Sequence, residues 1–287
     1  MEKPNRKHKS SLFTSYFEDK ERLIETYNAI AGTDFPPTAK VEFKTLTNIL
    51  TRSQINDIAF MLEDRFIVMM EHQSTPVSEN IAIRLLIYIT EVLKGIVSPR
   101  SLYGRKPYKI PTPEFFVIYH GKKNLPDKEV FRLSDAFIAP TNTPSLELIV
   151  TVFNVTNGHN EKMLLQSTAL SDYSTFISLI NDGVSKGLDL GDAIDDAIHY
   201  CIKNDIMRGY LLKSSEEVKR MLSMEWNEDE YREAMKEDAR EEGLEEGREE
   251  GRAQEKIATA RLMKAEEIPV DIITRVTGLP PEEIAQI

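Results

Sequence analysis

Asp57, Glu71 and Gln73 are the residues of this chain whose types and spacing point to chemistry. They stand at one end of two apolar runs, 58–62 and 66–70, separated by the polar triplet Glu63-Asp64-Arg65. Runs of that length around such a triplet predict two strands joined by a tight hairpin loop. Both runs are continuously apolar, so both sheet faces should be covered. Side chains alternate along a strand, which puts Glu71 and Gln73 on one face and His72 on the other. A three-residue loop at 63–65 pairs Leu62 with Phe66 and, counted outward, sets Asp57 opposite Glu71. A two-residue loop would turn Asp57 away. The polar triplet favours the first register. Two opposed carboxylates repel unless a positive charge lies between them, and a hard divalent cation taking oxygen ligands is the natural occupant. The same residues also read as polar strand ends reaching water, and the geometry alone leaves both readings open.

Asp57 followed by Glu71-x-Gln73 resembles the active-site pattern of the PD-(D/E)XK nuclease superfamily, with Gln73 where many members have Lys. The longer strings NDIAF, IVMMEHQS and RLLIYI closely resemble the recombination-promoting nuclease family, also described as a transposase family, in which Gln is the usual third residue. The resemblance implies an α/β (α+β) restriction-endonuclease-like fold, a mixed central sheet flanked by helices with a helical C-terminal extension. It implies DNA as partner and a metal-dependent DNA endonuclease as activity, hydrolysing phosphodiester bonds in recombination or mobile elements. Asp57, Glu71 and Gln73 become the catalytic residues. Mg²⁺, with Mn²⁺ or Ca²⁺ as alternatives, would be held by Asp57, Glu71 and the backbone carbonyl of His72. The Gln73 amide cannot carry the charge of Lys, but it can orient a water and donate to a phosphate oxygen. Many relatives have an Asp near the start of the first helix, where this chain has Ser10-Ser11; Glu21 and Glu25 are the acidic alternatives there. A nuclease-fold accessory module that binds DNA or protein in transposition or phage defence, without cutting, would carry the same residues.

A chain of 287 residues, 41% of them hydrophobic, can bury a sizeable core. Neither a membrane-spanning run nor the apolar segment of a signal peptide is present, so a cytoplasmic protein is expected, with a homo-oligomer compatible. The net charge of -11 argues against a nucleic-acid partner until its distribution is considered. Residues 225–256 carry 14 acidic and 6 basic side chains, a net of -8, so the remaining chain is nearly balanced. Cys201 lies in the helical pattern AIHYCI and reads as a small buried hydrophobe. His72 reads as a packed structural histidine, and His120, His159 and His199 show no ligand spacing.

The elements that must position the site follow in order. Apolar residues at helical spacing predict a helix over 11–30, stopped by Gly32, and 41–51 reads as a strand ahead of the hairpin. Ser78 can cap a helix running towards Val97, with Arg84 in its first two turns as a candidate phosphate contact. Segment 98–113 holds Arg100, Arg105, Lys106 and Lys109 among Tyr103, Tyr108 and several prolines. It reads either as a basic loop that clasps a nucleic-acid backbone or as an ordinary solvated connection. Strands follow at 114–120 and 145–156, then helices to about Ser223. Three segments result: a nuclease-like domain over 1–224, an acidic Glu/Gly-rich helical spacer over 225–256, and a small helical segment over 257–287. In the spacer, glycines recurring every four residues cost about 1 kcal/mol each in a helix. The last segment reads as a helix-turn-helix fragment or as a small cap that docks on its own nuclease domain or on another protomer.

Overall fold

The computed structural model describes residues 11–44, 57–98, 102–103 and 107–287; the side chains of residues 57, 228–246, 249, 250 and 253 fall outside that description. The chain divides into two units, Met1–Trp226 and Asn227–Ile287.

In the first unit, α1 (Leu12–Phe17) and α2 (Lys20–Ala31) replace the single helix expected over 11–30. The break follows from capping: the Asp19 carboxylate accepts from the Arg22 backbone N–H at 3.1 Å and starts a new helix. Gly32, at φ 67°, ends it as expected. A six-stranded sheet comes next, formed by β1 (Val41–Phe43), β2 (Asp57–Leu62), β3 (Phe66–Gln73), β4 (Thr112–Tyr119), β5 (Lys128–Arg132) and β6 (Ile149–Asn154). Its order is β1-β2-β3-β4-β6-β5. The first three strands form an antiparallel meander, β4 runs parallel to β3, β6 parallel to β4, and β5 closes the far edge antiparallel to β6. Of the strand expected over 41–51, β1 covers the first three residues; Lys44 is described outside it, and 45–51 lie outside the described residues.

The crossover between β3 and β4 is α3 (Ile81–Ile96). Its N-cap is Asn80 rather than Ser78; Ser78 instead accepts from the Ile81 N–H through its carbonyl at 2.9 Å and from the Asn80 N–H through Oγ at 3.2 Å. After a 3₁₀ turn (Leu133–Ala136) and β6 come α4 (Glu161–Leu164), α5 (Thr168–Ser185), α6 (Leu190–Lys203) and the long α7 (Arg208–Ala265), which kinks at Ser214.

Two cores sandwich the sheet, which explains the unbroken apolar runs of its central strands. On one face Val68 and Met70 of β3 pack with α1, α2, α5, α6 and the start of α7; on the other, Ile67 and Met69 pack with α3 and Leu133. Cys201 is fully buried in the first of these cores. The unit extends past residue 224, because Glu225 accepts the Leu12 N–H at the start of α1 at 2.7 Å and Trp226 packs on the same core.

The second unit contains the rest of α7, then α8 (Val270–Thr277) and α9 (Pro281–Gln286). Segment 241–252, with its glycines, is helical within α7. A small core of Ala260, Ile273 and Ile284 joins the three helices, so residues 257–287 pack on themselves. Gly278 at φ 73° makes the turn between α8 and α9. The six-residue α9 exposes Glu282 and Glu283, the wrong charge for a helix laid against phosphates.

The hairpin loop that sets the register of β2 on β3 has a cost. The Arg65 N–H donates to the Leu62 carbonyl at 3.0 Å, and both central residues, Glu63 (φ 52°) and Asp64 (φ 53°), take the left-handed conformation that Asn-Gly fits best. Lys40 holds the loop by donating to both side chains. Combining Glu63→Asn with Asp64→Gly should raise the urea midpoint at unchanged slope, by about 1 kcal/mol from relief of left-handed backbone. A lower midpoint would show that the Lys40 contacts outweigh the strain.

Candidate active site

The ladder between β2 and β3 begins at Leu62 opposite Phe66 and ends with Asp57 opposite Glu71, the register expected from a three-residue loop. Even sheet positions then decide the environment of each β3 residue. Glu71 lies on the α3 face of the sheet and His72 on the face of α1 and α5.

Glu71 is a carboxylate at 5% exposure inside an otherwise apolar strand. Its Oε1 accepts from Gln73 Nε2, two residues along the strand, and from Arg84 Nη2, in the first turn of α3. Oε2 is buried and accepts no hydrogen bond among the described residues. Thus Glu71, Gln73 and Arg84 come together, and Asp57 is brought opposite them by backbone register. A bare carboxylate oxygen is an acceptor waiting for a donor or a cation. Oxygen donors suit Mg²⁺, which is commonly held by one or two carboxylates with water and substrate phosphate completing the shell. Among the described residues no group of three or more His, Cys, Asp or Glu side chains gathers as a metal cage. Of the donors expected for a metal, Glu71 is the one carboxylate whose side chain is described; the His72 carbonyl follows it on β3 and Asp57 is placed opposite by register alone.

Just beyond Gln73 the backbone is tightly fitted. A Cβ built on Gly121 would lie 1.9 Å from the Ser74 carbonyl oxygen, so the exit of β4 can pass the end of β3 only as glycine.

His72 is buried on the opposite face, as its parity requires. Its ring stacks on Phe13 at 5.3 Å, meets Tyr173 edge-on at 5.5 Å, and exchanges a 3.4 Å hydrogen bond with the Tyr173 hydroxyl. His120 lies nearby, donating from Nε2 to the Ser174 carbonyl at 3.0 Å. Burial, and secondarily the neighbouring His120, push the His72 pKa from 6.5 down to about 3.

The remaining candidates are dispersed. Arg100, Arg105 and Lys106 lie outside the described residues; of the same loop, Tyr103, Tyr108 and Lys109 are exposed. Glu25 accepts from the Thr168 N–H on the α5 side of the sheet and does not join Glu71, and Glu21 is exposed on the same helix. His159 bonds Asp127 at 2.6 Å and Asn124 at 2.9 Å just past the C-terminal end of β6, joining the loops before β5 and after β6. Sequence reasoning missed an open pocket of about 460 Å³ in the helical layer, lined by Asp19, Arg22, Asp172, Asp205, Arg208 and Tyr210. Its walls come from three separated segments, so no local pattern announces it. No protein-family model, no curated protein and no solved structure matches the chain. No helix among the described residues is long and apolar enough to cross a membrane.

The buried histidines make stability pH-dependent in a definite direction. A folded-state pKa depressed from 6.5 to about 3 keeps His72 neutral in the fold, while the unfolded chain takes up a proton below 6.5. Stability is complete above that value and falls as the pH drops towards the folded pKa. By pH 5 the loss from His72 should reach about 2 kcal/mol. Urea unfolding at pH 7 and pH 5 should show this loss, with His120, also depressed by burial, adding to it. In His72→Gln the difference between the two pH values should shrink to the His120 part; an unchanged difference would remove His72 as its source.

Proposed function

We propose that this chain is a metal-dependent DNA endonuclease of the PD-(D/E)XK kind, similar to the recombination-promoting nucleases. The observation that carries the reading is Glu71: a buried carboxylate with one oxygen held by Gln73 and Arg84, the other without a partner among the described residues, and Asp57 opposite it in the β2–β3 ladder. Supporting it is the mixed sheet flanked by helices, with three strands, a helix and a further strand in succession, as the resemblance implies.

In this reading Asp57, Glu71 and the His72 carbonyl hold Mg²⁺, or Mn²⁺ or Ca²⁺ in its place. The bound ion would lower the pKa of a water and offset charge on the phosphate. The chain's own part is positional. The anchored Gln73 amide is free to orient a water with its carbonyl or to donate to a phosphate oxygen with its second N–H. The first turn of α3 offers Arg84, and the sequence segment 98–113 adds Arg100, Arg105 and Lys106, as cations for the DNA backbone. Water would attack phosphorus as the P–O bond to the leaving strand breaks; the attacking water would give one proton up to bulk solvent, and solvent would return one to the leaving oxygen.

A second reading also has an observation in its favour. Glu71 already has a cationic partner in Arg84, as expected of a nuclease fold kept as a DNA- or protein-binding module. Nicking of supercoiled plasmid separates the two. Mg²⁺-dependent nicking is expected from the parent chain. Glu71→Gln and Asp57→Asn should each lower its rate at least about a hundredfold, the scale of losing one preorganised transition-state contact, with circular dichroism unchanged. Parental rates in either variant would reject the site, and no nicking with any divalent ion would favour the binding module.

A further inference from the structure

We infer that Arg84 is a displaceable counter-cation: it holds the Glu71 carboxylate in the absence of metal and is released from it when a divalent ion binds. The inference rests on the nuclease reading and concerns how its site is loaded.

The argument begins with unequal burial. The Glu71 side chain is 7% exposed, whereas its partner Arg84 is 37% exposed. A carboxylate that deep in a sheet is strongly destabilising unless compensated, and Arg84 supplies a full positive charge to it. The compensation is one-sided. Both Arg84 and Gln73 donate to Oε1, while Oε2 stays buried and bare among the described residues. A cation therefore has a ready donor atom, but it must approach within a few ångströms of the guanidinium, and like charges at that distance repel strongly where water is excluded. Asp57 and Glu71 together carry two negative charges against the three of a divalent ion and a guanidinium. Of the two cations, the guanidinium is the one that can move: it is on a flexible stem, on the first turn of a helix, and its side chain is 37% exposed although its Nε is buried. Its planar fork also suits a phosphate bidentately. One side chain would thus couple metal loading to DNA-backbone binding: what the metal takes from Arg84, the phosphate restores.

The test uses the full-length chain and Mn²⁺ alone, with free Mn²⁺ followed by electron paramagnetic resonance. Arg84→Gln keeps a hydrogen-bond donor and removes the charge. It should bind Mn²⁺ at least about tenfold more tightly than the parent, the factor given by each 1.4 kcal/mol of relieved repulsion. Its melting temperature without metal should fall, and Mn²⁺ should raise it by more than in the parent. Arg84→Lys, which keeps the charge, should bind Mn²⁺ as weakly as the parent. Independently of any variant, Mg²⁺ titrated into parent protein carrying ¹⁵N-arginine should shift the Arg84 guanidinium resonance from its paired position. Equal or weaker Mn²⁺ binding by Arg84→Gln, or an Arg84 resonance unmoved at saturating Mg²⁺, would overturn the displacement. Failure of the nuclease reading looks different: the parent binds no Mn²⁺, or binds it just as well after Glu71→Gln.

Discussion

A residue on a strand faces one side of its sheet or the other, with nothing between, and in this protein that parity separates a charged environment from a dry one. The loop at Glu63–Arg65 sets it by pairing Leu62 with Phe66. A slip of one residue would turn Phe60 and Ile58 out of the larger core and change which side chains face Glu71. The strain accepted at Glu63 and Asp64 is small beside that loss, since burying a single large apolar side chain is worth about 1.5–3 kcal/mol. The hairpin thus spends local backbone energy on a register that the core then enforces.

Adjacent residues of β3 are used in contrary ways. His72 is desolvated, neutral and wedged between Phe13 and Tyr173, fastening β3 to α1 and α5. Glu71, its immediate neighbour, is buried in company with a guanidinium and an amide. The first residue makes the strand rigid, and rigidity is what fixes where the second points. Gly121 adds to this by letting β4 leave in contact with the Ser74 carbonyl, so the strand ends stay closed together. A site held this way needs few residues of its own, because packing on the far face has already oriented it.

The hairpin and its register could be read from the sequence because they depend on local quantities: two apolar runs, a polar triplet and a count. The parity of His72 followed from the same count. The ion pair between Arg84 and Glu71 could not be read so directly. Arg84 was visible as a cation early in a helix, but its partner depended on how α3 lies over the sheet, which is a matter of packing at Ile81, Leu85 and Ile89. The break between α1 and α2 went unseen because the apolar spacing continues through Asp19, and a single capping carboxylate overrides it. β5 was missed for another reason. Its pattern of exposed Lys128, Val130 and Arg132 around half-buried Glu129 and Phe131 is that of a short edge strand, too polar and brief to stand out from a loop.

That edge strand also limits how the molecule can grow. A sheet margin with free N–H and C=O groups invites another strand to add to it, and proteins guard such margins with short strands and charged side chains. Here one margin is β5, with Lys128 and Arg132 flanking its only exposed aliphatic residue, Val130. The other is β1, three residues long, with Glu42 tied to Lys44 just beyond its end. Among the described residues neither offers a long, flat, apolar template. A strand from another chain that sought to extend this sheet would therefore meet charged side chains at both margins.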